Sequence, residues 1–281
     1  MPKEMEFRTR VELPEYDFAI SPGSRLLFAG SCFADNIGSR FGRSRFHAMV
    51  NPYGTMYNPV SVLHTIERTM AQTDFVPDIV FLTLGTNHVY RLKETGEIVD
   101  NCMKRPQSLF IEECLSIEDC AAALSQVVAM VSERNPQVKV IITVSPIRYA
   151  KYGYHGSQLS KSILLLAADR VVASHSCCHY FPAYEIVNDE LRDYRFYSAD
   201  MLHPSDVAVD YLWQQIARNL FSAETHAYVA AISKVVKALE HKPYNPDSQD
   251  YADFLNRTRS QIHTLADAYP HLLITMAEFF K

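Results

Sequence analysis

The stretch Phe28-Ala29-Gly30-Ser31-Cys32-Phe33-Ala34-Asp35-Asn36-Ile37-Gly38 turns an apolar strand into a helix through one glycine. The run before it, Leu26–Ala29, is continuously apolar rather than alternating, the pattern of a parallel strand covered on both faces. A sharp turn at Gly30 then sets the next side chains at the carboxyl edge of the sheet, where open α/β sheets build their sites. Backbone N–H groups at the new helix start suit an oxyanion, and the helix dipole favours a thiolate there.

Outward from this corner the same pattern recurs. Ile79–Leu84, Val138–Val144, His179–Phe181 and, more weakly, Phe46–Val50 read as further buried strands. Asn58-Pro59 caps and starts a helix reaching about Met70. Ser116, followed by Glu118 and Asp119, starts another that stops before Asn135-Pro136. A third is expected over about Ser157–Ser174, and a fourth from Pro204-Ser205 to Leu220. Alternation of strand and helix implies a doubly wound parallel sheet. His88–Lys93 and Glu97–Asp100 flank Glu94-Thr95-Gly96 as a β-hairpin, and Asn101–Cys114 reads as a longer loop. After Leu220 the strands stop. Ala223–His241 and Gln249–Lys281 read as helices joined by a linker, Lys242–Asp247. The expected division is therefore a domain over residues 1–222 and a helical extension over 223–281, which either covers the sheet or forms a homodimer contact.

Apolar residues make up 48% of the 281, enough for a large core. The formal net charge is −5 with no basic run, so the electrostatic footprint of a nucleic-acid binder is missing. Met1–Leu13 has no apolar stretch of signal-peptide length, and no apolar run suits a membrane span, so a cytoplasmic protein without a membrane partner is expected. The six cysteines form no zinc spacing and are expected as thiols, with adjacent Cys177 and Cys178 packed as small apolar groups. No metal or other cofactor is expected. The scattered histidines argue against a zinc-dependent deacetylase, and Cys32-Phe33-Ala34-Asp35 is a poor phosphate cradle for a flavin.

Gly30-Ser31-Cys32-Phe33-Ala34, within Leu26–Phe41, resembles the signature of the GSCFA family, itself similar to SGNH/GDSL hydrolases. The resemblance spans about residues 5–220. It implies a three-layer α/β/α fold on a parallel flavodoxin-like sheet and four blocks of site residues. Laid on Gly-Asp-Ser-Leu, the first block puts Cys32 at the nucleophile position, while a shift of one residue would put Ser31 there. The second, Asn51-Pro52-Tyr53-Gly54-Thr55, would offer the Gly54 N–H to an oxyanion. The third, Gly85-Thr86-Asn87, would offer the Asn87 amide to the same charge. The fourth, Asp200-Met201-Leu202-His203, supplies a histidine that moves protons and an aspartate that orients it. Arg148, ending another strand at the same edge, would clamp an acidic or hydroxylated substrate. Tyr154 and His155 follow it in the loop as further substrate-binding candidates. Asp193, Arg195 and Tyr197 read as braces of the fourth block.

The resemblance thus implies hydrolysis of a small ester, with an acetyl group on a carbohydrate as the expected substrate, through a covalent acyl-enzyme. Two other readings stand beside it. Acyl transfer fits a thiol nucleophile beneath a lid, either the Asn101–Cys114 loop or the helical tail. A non-catalytic glycan- or partner-binding module fits the missing aspartate at position 31.

Overall fold

The computed structural model describes residues 8–280. Met1–Phe7, the start of the Met1–Leu13 stretch, and Lys281 lie outside the described residues. The elements are β1 (Arg25–Gly30), α1 (Cys32–Arg43), β2 (His47–Val50), α2 (Pro59–Gln72), β3 (Ile79–Leu84), β4 (His88–Leu92), β5 (Ile98–Val99), β6 (Phe110–Cys114), α3 (Ile117–Arg134), β7 (Lys139–Val144), α4 (Gly153–Ser174), β8 (Cys178–Tyr180), α5 (Ala183–Glu185), α6 (Asp206–Leu220), α7 (Ala223–Leu239), α8 (Gln249–Ala268) and α9 (Leu272–Thr275).

Five parallel strands form the central sheet in the order β2-β1-β3-β7-β8. Counted within that sheet this is 2-1-3-4-5, the flavodoxin-like order, and the strand order reverses between β1 and β3. Each strand feeds both faces by simple alternation. Leu26, Phe28, Phe81 and Ile141 enter one buried cluster, with α1 and α6 over it. Leu27, Ala29, Val80, Leu82, Val140 and Ile142 enter the other, beneath α2, α3 and α4. The result is the expected three-layer α/β/α arrangement. Among the described residues no helix is long and apolar enough to cross a membrane.

The first face is closed by the C-terminal helices. Tyr228 of α7 is fully buried against Phe46, their ring centroids 5.4 Å apart, and its hydroxyl donates to Ser44 O at 2.9 Å. Ile232 of α7, Ile262 of α8 and Leu272 of α9 enter the same cluster as Phe28 and Phe41. The tail thus covers one face of the sheet. Its last helix breaks earlier than the sequence reading has it. Pro270 disfavours helix at Tyr269, and α8 ends at Ala268.

The hairpin forms as expected, with Tyr90 opposite Val99. The expected loop over Asn101–Cys114 does not persist to its end. Phe110–Cys114 is a strand paired antiparallel to β4 along its length, giving a small second sheet in the order β5-β4-β6. Its alternation is masked because Ile111 faces outward while Phe110 is buried. Cys178 starts the last central strand and is buried, as an apolar thiol should be. Helix α3 begins with a reciprocal cap. Ser116 Oγ accepts from Asp119 N at 3.0 Å, and Asp119 Oδ2 accepts from Ser116 N at 3.1 Å. Ser116→Ala removes one side of this box and should lower stability by about 1 kcal/mol, read from the urea midpoint at unchanged slope.

Candidate active site

Gly30 sits at φ 140°, a backbone that L side chains rarely adopt, and a Cβ there would lie 2.1 Å from Thr83 O. The glycine lets β1 press against β3 and makes room for Ser31 N to donate to Thr83 O at 2.9 Å. The turn therefore draws Ser31 inward. Its hydroxyl is fully buried, bonds Thr83 Oγ1 at 3.1 Å and caps α1 by accepting from Phe33 N at 3.3 Å. Ser31 thus holds the corner and meets no solvent in this structure.

Cys32 opens α1 and is half-buried. Burial pushes its thiol up to about 11, and Asp35 adds to that, while the Cys32 and Phe33 N–H groups and the charge of Lys161 pull the other way. Desolvation thus overrides the dipole, and the thiolate expected from the helix start is not the resting form. Asp35 is anchored by Asn51 Nδ2 at 2.8 Å and Thr55 Oγ1 at 3.1 Å, and Asn51 Oδ1 accepts from Gly30 N at 2.9 Å. This loop braces the corner from outside.

Lys161 of α4 is the unforeseen member. It is buried, and Nζ donates to Gly85 O at 2.6 Å and Ser145 O at 2.7 Å, the carbonyls just past β3 and β7. Burial lowers it to about 7, and the charge of Cys32 works against that shift. Nζ also lies 5.1 Å from the centre of the Tyr149 ring. The Tyr149 hydroxyl is buried with no hydrogen-bond partner and lies where a Cβ on Gly85 would be, 2.3 Å away. Tyr57 crowds the same glycine, its Cδ1 3.2 Å from that Cβ position. Cys32, Tyr57, Tyr149 and Lys161 thus share one electrostatic neighbourhood at the switch between β1 and β3.

The Gly54 N–H and one hydrogen of the Asn87 amide are bonded within the scaffold. The Gly54 N–H donates to Asn51 O at 2.8 Å, closing a turn with Gly54 at φ 93°. The Asn87 amide donates to Leu115 O at 2.8 Å, fixing the start of α3 to the end of β3, and its Oδ1 is buried without a partner. Both positions thus serve the scaffold in this structure, with one of the two Asn87 amide hydrogens spent on Leu115 O.

Asp200 and His203 do pair. Asp200 Oδ2 lies 2.5 Å from His203 Nδ1, and Asp200 Oδ1 accepts from Leu202 N at 2.9 Å and His203 N at 3.0 Å. Those two N–H groups and the imidazole hold the carboxyl down to about 2. Both side chains are close to half exposed. Arg148 N donates to Leu202 O at 3.0 Å and Arg148 Nη1 to Met201 O at 3.1 Å, so the loop is tied to the chain leaving β7, at the same rim as Cys32. Among the described residues no hydrogen bond joins the imidazole to Cys32.

Arg148 stacks on Tyr154 at 4.3 Å and lies 5.5 Å from the Tyr197 ring. It lines a cavity of about 240 Å³ with Gln158, Asn188, Arg192, Tyr194 and Tyr197. A π-helical turn over Ile186–Leu191 forms one wall and ends at Arg192, φ 25°, a geometry often found beside functional sites. Tyr154 backs the guanidinium rather than lining this cavity. His155 is exposed on the first turn of α4, with no hydrogen bond or ring contact among the described residues, and does not reach the cavity. Asp193 caps the short turn Tyr194–Phe196 by accepting from Arg195 N at 2.9 Å, and lies 3.7 Å from Arg195 Nε. Tyr197 pairs with Pro204, and Ser198 N donates to His203 O.

A signal for Lys161 was available. The buried face of α4 runs Ser157, Ser160, Lys161, Leu164, Ala167, Ala168, Val171, a helical stripe with a lysine in its midst. Tyr149 has no such mark, because its loop carries no periodicity.

Fold and corner together define a doubly wound α/β protein with its cysteine turn at the topological switch point. The chain belongs to the GSCFA family, whose model matches residues 25–78 and 76–216, and a model of the GSCFA C-terminal domain matches residues 232–276. No curated protein matches it. Among solved structures it is similar to a catalytic mutant of an acetylxylan esterase from Geobacillus stearothermophilus (13% identity, TM-score 0.48, 73% of this chain and 98% of that one). It is also similar to a GDSL-like lipase from Bacteroides thetaiotaomicron (12%, 0.46, 70% and 87%). A carbohydrate esterase of family 3 from Talaromyces cellulolyticus is matched at 11% and 0.40, over 75% and 99%.

Proposed function

We propose that the chain hydrolyses a small carboxylic ester through a thioester on Cys32. The sulfur attacks the acyl carbon, the alcohol departs, and His203, oriented by Asp200, activates the water that releases the acid. The observation that carries this reading is the Asp200–His203 pair, fastened by Arg148 to the sheet rim where Cys32 stands. An exposed imidazole can activate water for deacylation without direct contact between sulfur and ring. The cavity beside Arg148, polar and rich in tyrosine, suits the hydroxylated ring of a carbohydrate on the alcohol side, with an acetyl ester as substrate. All six cysteines are free, which fits a reducing compartment and a cytoplasmic location. A homodimer through the tail would have to use its outer face, where Leu273 and Ile274 are exposed.

The test is a trap. Brief incubation with p-nitrophenyl acetate, acid quench and peptide mass spectrometry should find the acetyl group on the peptide carrying Cys32. Cys32→Ala should show neither that adduct nor catalysed release of nitrophenol. Turnover that survives in Cys32→Ala overturns the proposal.

A further inference from the structure

The cavity beside Arg148 is positive in a negative chain. The protein carries a formal charge of −5, yet this wall holds two guanidinium groups, Arg148 and Arg192, against one carboxylate, Asp193. Resting on the hydrolase reading, we propose that the alcohol half of the ester is an acidic sugar, held in this cavity by pairing its carboxylate with Arg148.

Arg148 is held in place without an acid beside it. Its Nη1 donates to Met201 O at 3.1 Å, which uses one of five N–H donors. Its guanidinium carbon lies 4.3 Å from the centre of the Tyr154 ring, 5.5 Å from that of Tyr197 and 5.8 Å from that of Tyr194. Among the described residues it has no carboxylate partner. Arg25 and Arg91, by contrast, meet acids at 2.8 and 3.1 Å. The carboxylate in the wall is turned to a different arginine: Asp193 Oδ1 accepts from Arg195 N at 2.9 Å, and Oδ2 lies 3.7 Å from Arg195 Nε. Arg192 has only a loose partner, Asp189 at 3.9 Å, with both side chains largely exposed.

The shape of the group selects the ligand. On a guanidinium, Nε–H and one Nη2–H run parallel and match the two oxygens of a carboxylate. A neutral hydroxyl would take one of those bonds and leave the charge unanswered. The tyrosine faces suit the C–H side of a sugar ring. At about 240 Å³ the cavity is smaller than the sites of drug-sized ligands, about 300–1,000 Å³, and suits a single ring.

Its position fits an alcohol subsite. Arg148 bonds the carbonyls of Met201 and Leu202, which lie between Asp200 and His203 in the chain. Tyr197 pairs with Pro204, the residue after His203. Two walls of the cavity are therefore fastened to the loop that carries the dyad, and a ring anchored at Arg148 sits beside it.

Isothermal titration calorimetry with glucuronate, glucose and glucose 6-phosphate tests the cavity without any ester. Glucuronate should bind at least about tenfold more tightly than glucose, and the preference should shrink at high salt. Arg148→Gln should abolish the preference, and Arg148→Lys, which keeps the charge but not the fork, should retain part of it. Equal affinity for glucuronate and glucose, or binding of neither, overturns the proposal on the wild type alone, even if the variants fail to fold. A preference that survives Arg148→Gln also overturns it, as does tighter binding of glucose 6-phosphate, because a phosphate is then the anion that Arg148 answers. Glucuronate binding as expected without turnover of p-nitrophenyl acetate leaves the subsite standing and fails the hydrolase reading. Turnover without glucuronate binding does the reverse.

Discussion

His203→Ala should cut ester turnover by roughly a thousandfold and leave the melting temperature where it was. The two halves of that expectation have separate causes. Catalytically, the proposed mechanism has the imidazole pass a proton between water and the departing sulfur, and Nδ1 lies against Asp200, which leaves Nε2 for that role. Structurally, the ring is about half exposed, and the loop is held by other bonds: Asp200 Oδ1 to two backbone N–H groups, and Arg148 to Leu202 O and Met201 O. Removing an exposed ring from a loop braced in this way should change stability by no more than about 0.5 kcal/mol. Asp200→Asn keeps an oxygen for the backbone donors but loses the negative charge against the ring. It should lower turnover as well, and the double variant should be little worse than His203→Ala alone, because the two act as a unit. Initial rates on p-nitrophenyl acetate with parallel thermal melts check both halves. A His203→Ala protein of normal stability and normal turnover would remove the dyad from the mechanism.

Gly30→Ala should be the most damaging single methyl in the chain. A Cβ at this position would overlap Thr83 O at 2.1 Å and Thr83 C at 2.9 Å, both backbone atoms of a central strand that cannot swing aside. The residue must also hold φ 140°. Backbone strain of about 1–3 kcal/mol and overpacking of about 1–3 kcal/mol together make a large share of a stability that is about 5–15 kcal/mol for a domain. The melting temperature should drop by on the order of 10 °C. Gly23→Ala is the control, since nothing lies within 4 Å of its added carbon and its φ is ordinary. Circular dichroism melts of the two variants decide it. Equal effects would mean that the β1–β3 contact is softer than its geometry requires.

Much of the layout is legible in the sequence because the determinants are local. Continuous apolar runs mark strands buried on both faces, and Asn58, Ser116 and Ser205 mark helix starts with side chains that accept from their own first turns. The Asp200–His203 pair is legible for the same reason: three residues of spacing bring two groups together without help from the rest of the fold. What spacing does not reveal is how a group's neighbours claim it. Gly54 and Asn87 stand in the right order for oxyanion donors, yet a turn carbonyl takes the Gly54 hydrogen and the entry to α3 takes one of the two Asn87 amide hydrogens. Ser31 and Cys32 are adjacent in the chain, and only the pressure of β3 on Gly30 separates a buried cap from a half-exposed thiol. Lys161 comes from 129 residues beyond Cys32, a proximity that only the assembled sheet creates.

The closing of one sheet face by the C-terminal helices has a consequence for how this chain is made. Phe28, Phe41 and Phe81 share their cluster with Tyr228, Ile232, Ile262 and Leu272. During translation the early strands and α1 leave the ribosome long before those partners exist, and a sheet with one greasy side bare is prone to stick to its neighbours. The nascent chain should therefore lean on holdase chaperones until its last helices emerge, and ribosome-stalled chains ending before α7 should be far more sensitive to protease than chains carried through α9.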